Sequence, residues 1–462
     1  MIASGGSVDV AVIGGGISGL VAAYRLQQAG RVVALVDGGR APGGVIASHR
    51  DDGYLYETGP NSTLDTTPLI DSLLDDLAIR DQRVDAASTA KHRYVIREGR
   101  LAALPASPAG LIATRAFTPA AKLRLLREPW IPRAPADAEE SIAAFVRRRL
   151  GDEFLDYAID PFVSGIYAGD PESISVRAAF PRLFALEQKH GSLLRGQVAG
   201  ARERRANPET SKHAAKSFSF RAGMQTLPDA IAARLAHRFA DTRVGEIARR
   251  GDGGFSLRAN GFSLHARALV LAVPAHAAAP LVEPLAPVGA KVLRSIRYAP
   301  VAVVASGYRR ADVAHDLAGF GFLVPRRERR TILGSLFSSS LFPGRAPADH
   351  VLFTSFIGGE REPDAAALDP PALEQRAGRE LEALVGARSP RWTRVVRWPQ
   401  AIPQYTIGHL ERVAAFDDAS AHLGGLFTCA NWRGGVAVGD CIRNAHEVAA
   451  RVDAWLAAPT AR

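Results

Sequence analysis

A chain of 462 residues, 47% hydrophobic and 23% charged, is too long for one compact core and predicts two or three globular domains. Its two cysteines, Cys429 and Cys441, exclude a disulfide framework and a cysteine metal site, so a reducing cytoplasmic setting without metal is expected. The net charge of +10 suits anionic partners such as acidic lipid or a carboxylate substrate. With only six lysines, an arginine-rich gene composition accounts for that charge equally well, and no nucleic-acid motif accompanies it.

The opening MIASGGSVDV has neither the charged nor the apolar part of a signal peptide. A short apolar strand is predicted over 8–13, and Gly14, Gly16 and Gly19 follow it as G-x-G-x-x-G. Gly15 and Ser18 fall inside the same turn and helix start and are assigned with it. A helix over 20–29 ends at Gly30, and a second strand ends at Asp37. The first glycine allows a tight turn, the second lets backbone approach a pyrophosphate, and the third permits close helix–strand packing. The helix start offers free N–H groups to phosphate, and Asp37 can accept hydrogen bonds from ribose hydroxyls. A dinucleotide site is the reading.

Next come APGGVIASH (41–49), with Gly43 and Gly44, and YLYETGPNST (54–63), with Gly59, Pro60 and Asn61. A second glycine pair after the acid, then an acid–Thr–Gly segment, resembles the FAD-dependent amine oxidase superfamily. The resemblance implies FAD and assigns these five residues to it. One departure is that the superfamily's arginine four residues after the acid is Ala41 here, with Arg40 one place early.

A helix is predicted in DAEESIAAFVRRRLGDEF, with Asp137 as N-cap and Glu139 and Glu140 in the first turn. Residues 200–217 are polar and proline-interrupted and read as a loop. A turn, a helix and a strand are expected over 218–244, and a further apolar strand over 266–274. The apolar stretch 266–292 is broken by prolines at 274, 280, 284 and 287, so it is no membrane span. Alternating runs over 299–398 predict an antiparallel sheet.

Near the end, LFTCANWRGGVAVGDCIRNA (426–445) repeats the strand–glycine–helix form. Its helix is expected from about Asp440, with Ile442, Ala445, Ala449, Val452 and Leu456 on one face. A second such element can set its N-terminus under the flavin end of FAD. There Val436, Ala437 and Val438 supply N–H groups, and Asn431 contacts the ribityl or pyrophosphate part.

Longer segments are more specific. IDPFVSGIYAGDPESISVRAAFPRLFALEQKHGSL (159–193), GFGFLVPRR (319–327), LGSLFSSSLFPGRAP (333–347), FIGG (356–359) and WPQAIPQYTIGH (398–409) resemble the protoporphyrinogen oxidase family, in its oxygen-dependent plant-like and bacterial form. The resemblance implies an α/β architecture in three parts. A discontinuous Rossmann-like FAD-binding domain takes 1–90, 218–290 and 401–462. An α+β substrate domain takes 91–104 and 291–400, and a mainly helical, membrane-associating region takes 105–217.

The resemblance also implies oxidation of protoporphyrinogen IX to protoporphyrin IX in haem biosynthesis. Three two-electron steps each pass a hydride to non-covalently held FAD, and oxygen is the acceptor. A peripheral membrane surface is a partner by the same resemblance, which also leaves room for a homodimer. Arg93 matches the family's propionate-binding arginine, and Phe320, Gly321, Leu323, Leu336 and Phe356 match its substrate slot. Val244 and Trp398 join the cofactor contacts. No catalytic base is assigned; His49, His92 and His190 qualify only by type. Coproporphyrinogen III oxidation, amine oxidation and a non-catalytic flavin or porphyrin carrier are the alternatives. The stretch GGVAVGD, lacking the aromatic residue usual there in amine oxidases, counts against the second.

Overall fold

The computed structural model describes residues 3–90, 92–105, 110, 111, 114, 116–203 and 216–458. The expected 200–217 loop lies largely outside them; its first residues extend the helix Leu193–Glu203. Two seven-stranded sheets organise the chain.

In the first sheet, Ser7–Ile13 lies between Val33–Val36 and Phe262–Leu271, and all three run parallel. Arg238–Phe239 and Leu426–Thr428 extend the parallel part on either side. Phe255–Ala259 and Val244–Arg249 add an antiparallel flank. Strands buried on both faces need continuous apolar runs, which VAVI, VALV and ALVL supply. One face packs under helices Ile17–Gln28 and Val438–Ala457. The other carries Ala275–Val282, Pro287–Arg294 and His409–Ser420. The last helix begins two residues before the expected Asp440, and the five predicted apolar positions are all buried.

The second sheet runs Trp392–Pro403, Tyr298–Arg309, His350–Gly358, Gly334–Leu336, Gly321–Leu323, Arg93–Arg97, Arg100–Ala103. It is mixed rather than antiparallel throughout, because Gly321–Leu323 pairs parallel to Arg93–Arg97. Those two strands are far apart in sequence, so no hairpin dictates their direction. Period-two alternation divides its faces. Ala302, Val304, Phe322, Phe353 and Ile357 form a core with helix Pro370–Val385, while Val301, Val303 and Phe356 turn the other way.

Two further expectations are corrected. Residues 218–220 belong to a strand, Ser217–Phe220, paired with Thr63–Leu64 and Arg83–Asp85. Asp137 caps nothing: the helix is Ile142–Arg149, and Ser141 Oγ accepts the Ala144 N–H at 3.1 Å. Ser141 also bridges Ser175, and that tertiary contact fixes where the helix starts. In this helical region Arg149 is fully buried between Glu128 and Glu187. Glu128 accepts the Leu193 N–H at 2.8 Å and the Ser192 hydroxyl at 2.5 Å, anchoring the following helix.

Candidate FAD and substrate site

The ends of four parallel strands line up in register, Val36 beside Ile13, Ile13 beside Leu271, and Leu271 beside Thr428. Ligands of open α/β sheets bind beyond such an edge. Gly14 leaves the first strand, and Gly16 is the N-cap of helix Ile17–Gln28, whose first turn buries Ser18 and Gly19. Asp37 leaves the second strand at the same level. A Cβ on Gly15 would lie 2.2 Å from the Asp37 Oδ2 atom, so a larger residue there would displace the Asp37 carboxylate. The second glycine pair closes on the first. Gly43 N–H donates to Gly15 O at 2.7 Å, and a Cβ on Gly44 would lie 3.3 Å from Gly16 Cα.

The neighbouring assignments gather on this turn. A Cβ on Gly59 would run into the Val45 carbonyl, and Asn61 Nδ2 donates to Gly59 O at 3.3 Å. Pro60 and Asn61 are half-buried. Val244 is buried, two residues after Thr242, whose N–H donates to Asp37 O at 2.8 Å. Arg40 points to Asp241 on the surface, 3.3 Å away, and so does not replace the missing arginine at position 41.

Beyond Thr428 the chain turns through Asn431–Gly435. Gly435 has φ +117°, and a Cβ there would lie 2.6 Å from Asp440 Cβ. Ala437 is the N-cap of the last helix and Val438 its first residue, with Val436 just outside. First-turn N–H groups have no intrahelical acceptor. Two helix N-termini therefore sit at one sheet edge, one beside an acid and one beside a glycine turn.

The second sheet meets this edge through Trp398, whose Nε1 donates to Thr58 O at 2.7 Å, next to Gly59. Trp398 packs in one apolar cluster with Phe356, Val301, Val303, Leu333 and Ala168. From Phe356 the same sheet face continues through cross-strand neighbours. Phe356 stands beside Gly334, which stands beside Leu323, while Leu336 stands beside Gly321. Phe320, Leu323, Leu336, Phe356 and Trp398 are all half-buried, as residues lining a slot would be.

Arg93 lies beside Gly321, with its guanidinium 5.6 Å from the Phe320 ring centre. Its side chain reaches solvent, yet burial among apolar neighbours holds its pKa below the usual arginine value. Arginine stays charged all the same. The structure thus brings Arg93 and all five predicted slot residues onto one surface and joins that surface to the glycine elements. Lys91, in the same segment, lies outside the described residues. None of the three histidines gains a role: His49 packs on Tyr56 at 5.5 Å, His92 is exposed, and His190 ends a helix.

Sequence reasoning missed two clusters. Glu57 is buried and accepts from Arg345, Ser48 Oγ and Met224 N–H, at 2.5, 2.5 and 3.0 Å. It lies just before Thr58 and ties the 54–61 segment to Arg345, in the connection between two strands of the second sheet. Tyr405 and His409 lie behind the C-terminal turn. No spacing signal marks either cluster, because the partners are 288 and 26 residues apart.

A model of flavin containing amine oxidoreductases matches residues 17–453. The chain belongs to that family. It is a flavin oxidoreductase, and its cofactor is FAD. A chloroplastic protoporphyrinogen oxidase of Oryza sativa subsp. japonica is 34% identical, over 97% of this chain and 89% of that protein. A protoporphyrinogen oxidase of Bos taurus is 33% identical, over 96% and 98%. A coproporphyrinogen III oxidase of Bacillus subtilis is 28% identical, over 95% and 96%. Among solved structures, cyclohexylamine oxidase from Brevibacterium oxydans superposes with a TM-score of 0.71 at 16% identity, covering 97% of this chain and 99% of that one. That last likeness establishes the fold alone. The glycine turn at 14–19 with Asp37, and the glycine turn and helix start at 431–438, offer the close backbone approach and the first-turn N–H groups that a dinucleotide such as FAD requires.

Proposed function

We propose that the protein oxidises protoporphyrinogen IX to protoporphyrin IX, with oxygen as acceptor, as a step of haem biosynthesis. One observation carries the reading. An apolar sheet face bearing the five assigned slot residues is bonded through Trp398 to the FAD segment, and Arg93, with no ion pair among the described residues, stands at its far side. A large apolar tetrapyrrole with two propionates needs both features. Bound FAD supplies the hydride acceptor, and each of three steps removes one hydride and one proton from the substrate. The chain's own residues bind and orient. Arg93 takes a propionate in its two-pronged fork, Phe320, Leu323, Leu336 and Phe356 hold the macrocycle, and Trp398 keeps the slot against residues 58–61. The enclosing apolar surface excludes water. Every group named lies in one chain, so a monomer or a homodimer serves equally. Anaerobic mixing with protoporphyrinogen should bleach the flavin absorbance, and admitting oxygen should restore it. A flavin that stays oxidised under substrate would overturn the reading.

FAD should be held without a covalent link. Both cysteines are buried away from an incoming ring, and burial pushes the Cys429 thiol far above its usual pKa, so Cys429 offers no thiolate for such a link. Acid precipitation should leave the pellet white and the supernatant yellow. A yellow pellet would contradict this.

The helical region is proposed to rest on a membrane surface. No helix among the described residues is long and apolar enough to cross one. Helix Pro119–Leu125 and the turn after it nevertheless expose Leu123, Leu126 and Trp130, the last at 77%, beside the exposed Arg127 and Arg133. Apolar tips among arginines suit an anionic interface. The double variant Leu126→Glu, Trp130→Glu should cosediment with anionic vesicles at least tenfold less than the parent, at a cost of about 1.4 kcal/mol or more. If parent and variant cosediment equally, the surface lies elsewhere; if the parent itself stays in the supernatant, the membrane proposal fails.

A further inference from the structure

Tyr405 follows the long edge strand Trp392–Pro403 and is 2% exposed. Its hydroxyl donates to the Asn431 carbonyl at 2.7 Å and accepts the Gly435 N–H at 3.0 Å. One phenol thereby closes both ends of the turn that precedes the last helix. His409 stacks on Tyr405 with ring centres 4.1 Å apart and planes 13° from parallel. Its Nε2 lies 2.8 Å from the Trp432 carbonyl, which can only accept, so Nε2 carries the hydrogen. Nδ1 is buried with no partner among the described residues, so it carries the lone pair of a neutral ring rather than an orphaned N–H. Burial, with Arg412 and Arg433 nearby and Glu411 opposing, holds that ring neutral, with a pKa of about 4.

Three contacts from the 405–409 segment thus land on Asn431, Trp432 and Gly435, and no backbone bond of the last helix itself needs them. Glycine at 434 and 435 lets the turn adopt positive φ but does not hold it in one place. Something behind it must fix where Val436, Ala437 and Val438 point. We infer that Tyr405 and His409 are positioning residues for the flavin end of FAD. By clamping the 431–435 turn they aim the N-terminus of helix Val438–Ala457, which tightens FAD binding and favours the reduced, more negative flavin over the oxidised one. This rests on the assignment of that turn to FAD and not on the choice of porphyrinogen.

Preorganised N–H groups stabilise developing negative charge, and a loosened turn does so less. The test uses apo-protein reconstituted with FAD, and dye equilibration to read the reduction potential. Tyr405→Phe keeps the ring and the stack but loses both bonds. It should weaken FAD binding about tenfold, and it should weaken reduced FAD about a further tenfold. A tenfold preference corresponds to about 30 mV for a two-electron couple, so the potential becomes more negative by that amount. KM for the porphyrinogen should not move. His409→Leu should behave similarly, and His409→Gln, which restores a donor, should recover part of the loss. Tyr308→Phe, at a tyrosine buried in the substrate sheet, controls for general loosening and should leave the potential alone.

Unchanged FAD affinity and potential in Tyr405→Phe would overturn the inference, and so would an equal shift in Tyr308→Phe. If the shifts appear in an enzyme that does not oxidise protoporphyrinogen, the substrate reading fails and this inference stands.

Discussion

Arg93→Ala should raise KM for protoporphyrinogen on the order of ten- to a hundredfold and leave kcat near its parent value. Arg93 stands beside Gly321 at the side of the slot away from Trp398 and the FAD segment. A propionate held there is remote from the reacting bridge, so the contact is equally strong in ground and transition states. Loss of such uniform binding appears in KM. One charge-assisted contact is worth roughly 1.5–3 kcal/mol, which sets the range. Arg93→Lys should recover only part, since it keeps the charge and loses the fork. FAD content should not change, because Arg93 lies outside both glycine elements. Steady-state kinetics decide it: an unchanged KM removes Arg93 from the site, and a large kcat loss at normal KM makes it an aligner of the reacting bridge.

Arg345→Leu should cost roughly 3–5 kcal/mol of stability, because it leaves Glu57 buried without its counter-charge. Both side chains are nearly inaccessible, at 3% and 2% exposure. Arg345 also donates to Ser219 Oγ at 2.6 Å, so one substitution loosens the strand Ser217–Phe220, the hairpin of Ser48–Asp51 with Tyr54–Glu57, and the second sheet together. Removing both charges in Glu57→Leu, Arg345→Leu should be less damaging than removing Arg345 alone, since no orphan charge remains. Urea unfolding midpoints of the FAD-loaded protein test this. A single variant as stable as the parent, or a double variant worse than the single, would show that the pair is not the link between the two sheets.

The parts of the site legible in the sequence are those whose chemistry is local. Residues 7–37 and 426–457 are each a run in which strand, turn and helix follow one another, and the structure puts both turns at one sheet edge. The slot was reachable only through resemblance. Gly321 with Leu336, and Leu323 with Phe356 across Gly334, become neighbours by sheet register, which no single strand reveals. The parallel pairing of Arg93–Arg97 was hidden for the same reason. Asp137 fitted a cap pattern, but a distant contact to Ser175 set the start at Ser141. Glu57 with Arg345, and Tyr405 with Asn431 and Gly435, are long-range polar pairs between segments that each look ordinary.

The central claim is the oxidation of protoporphyrinogen IX, and direct turnover tests it. The purified FAD-loaded protein is given protoporphyrinogen IX or coproporphyrinogen III in air-saturated buffer, and porphyrin fluorescence and hydrogen peroxide are followed. The account predicts protoporphyrin IX formation with three peroxides per porphyrin, at a higher kcat/KM than for coproporphyrinogen III. Preference for coproporphyrinogen III, or no porphyrin from either substrate, would contradict it.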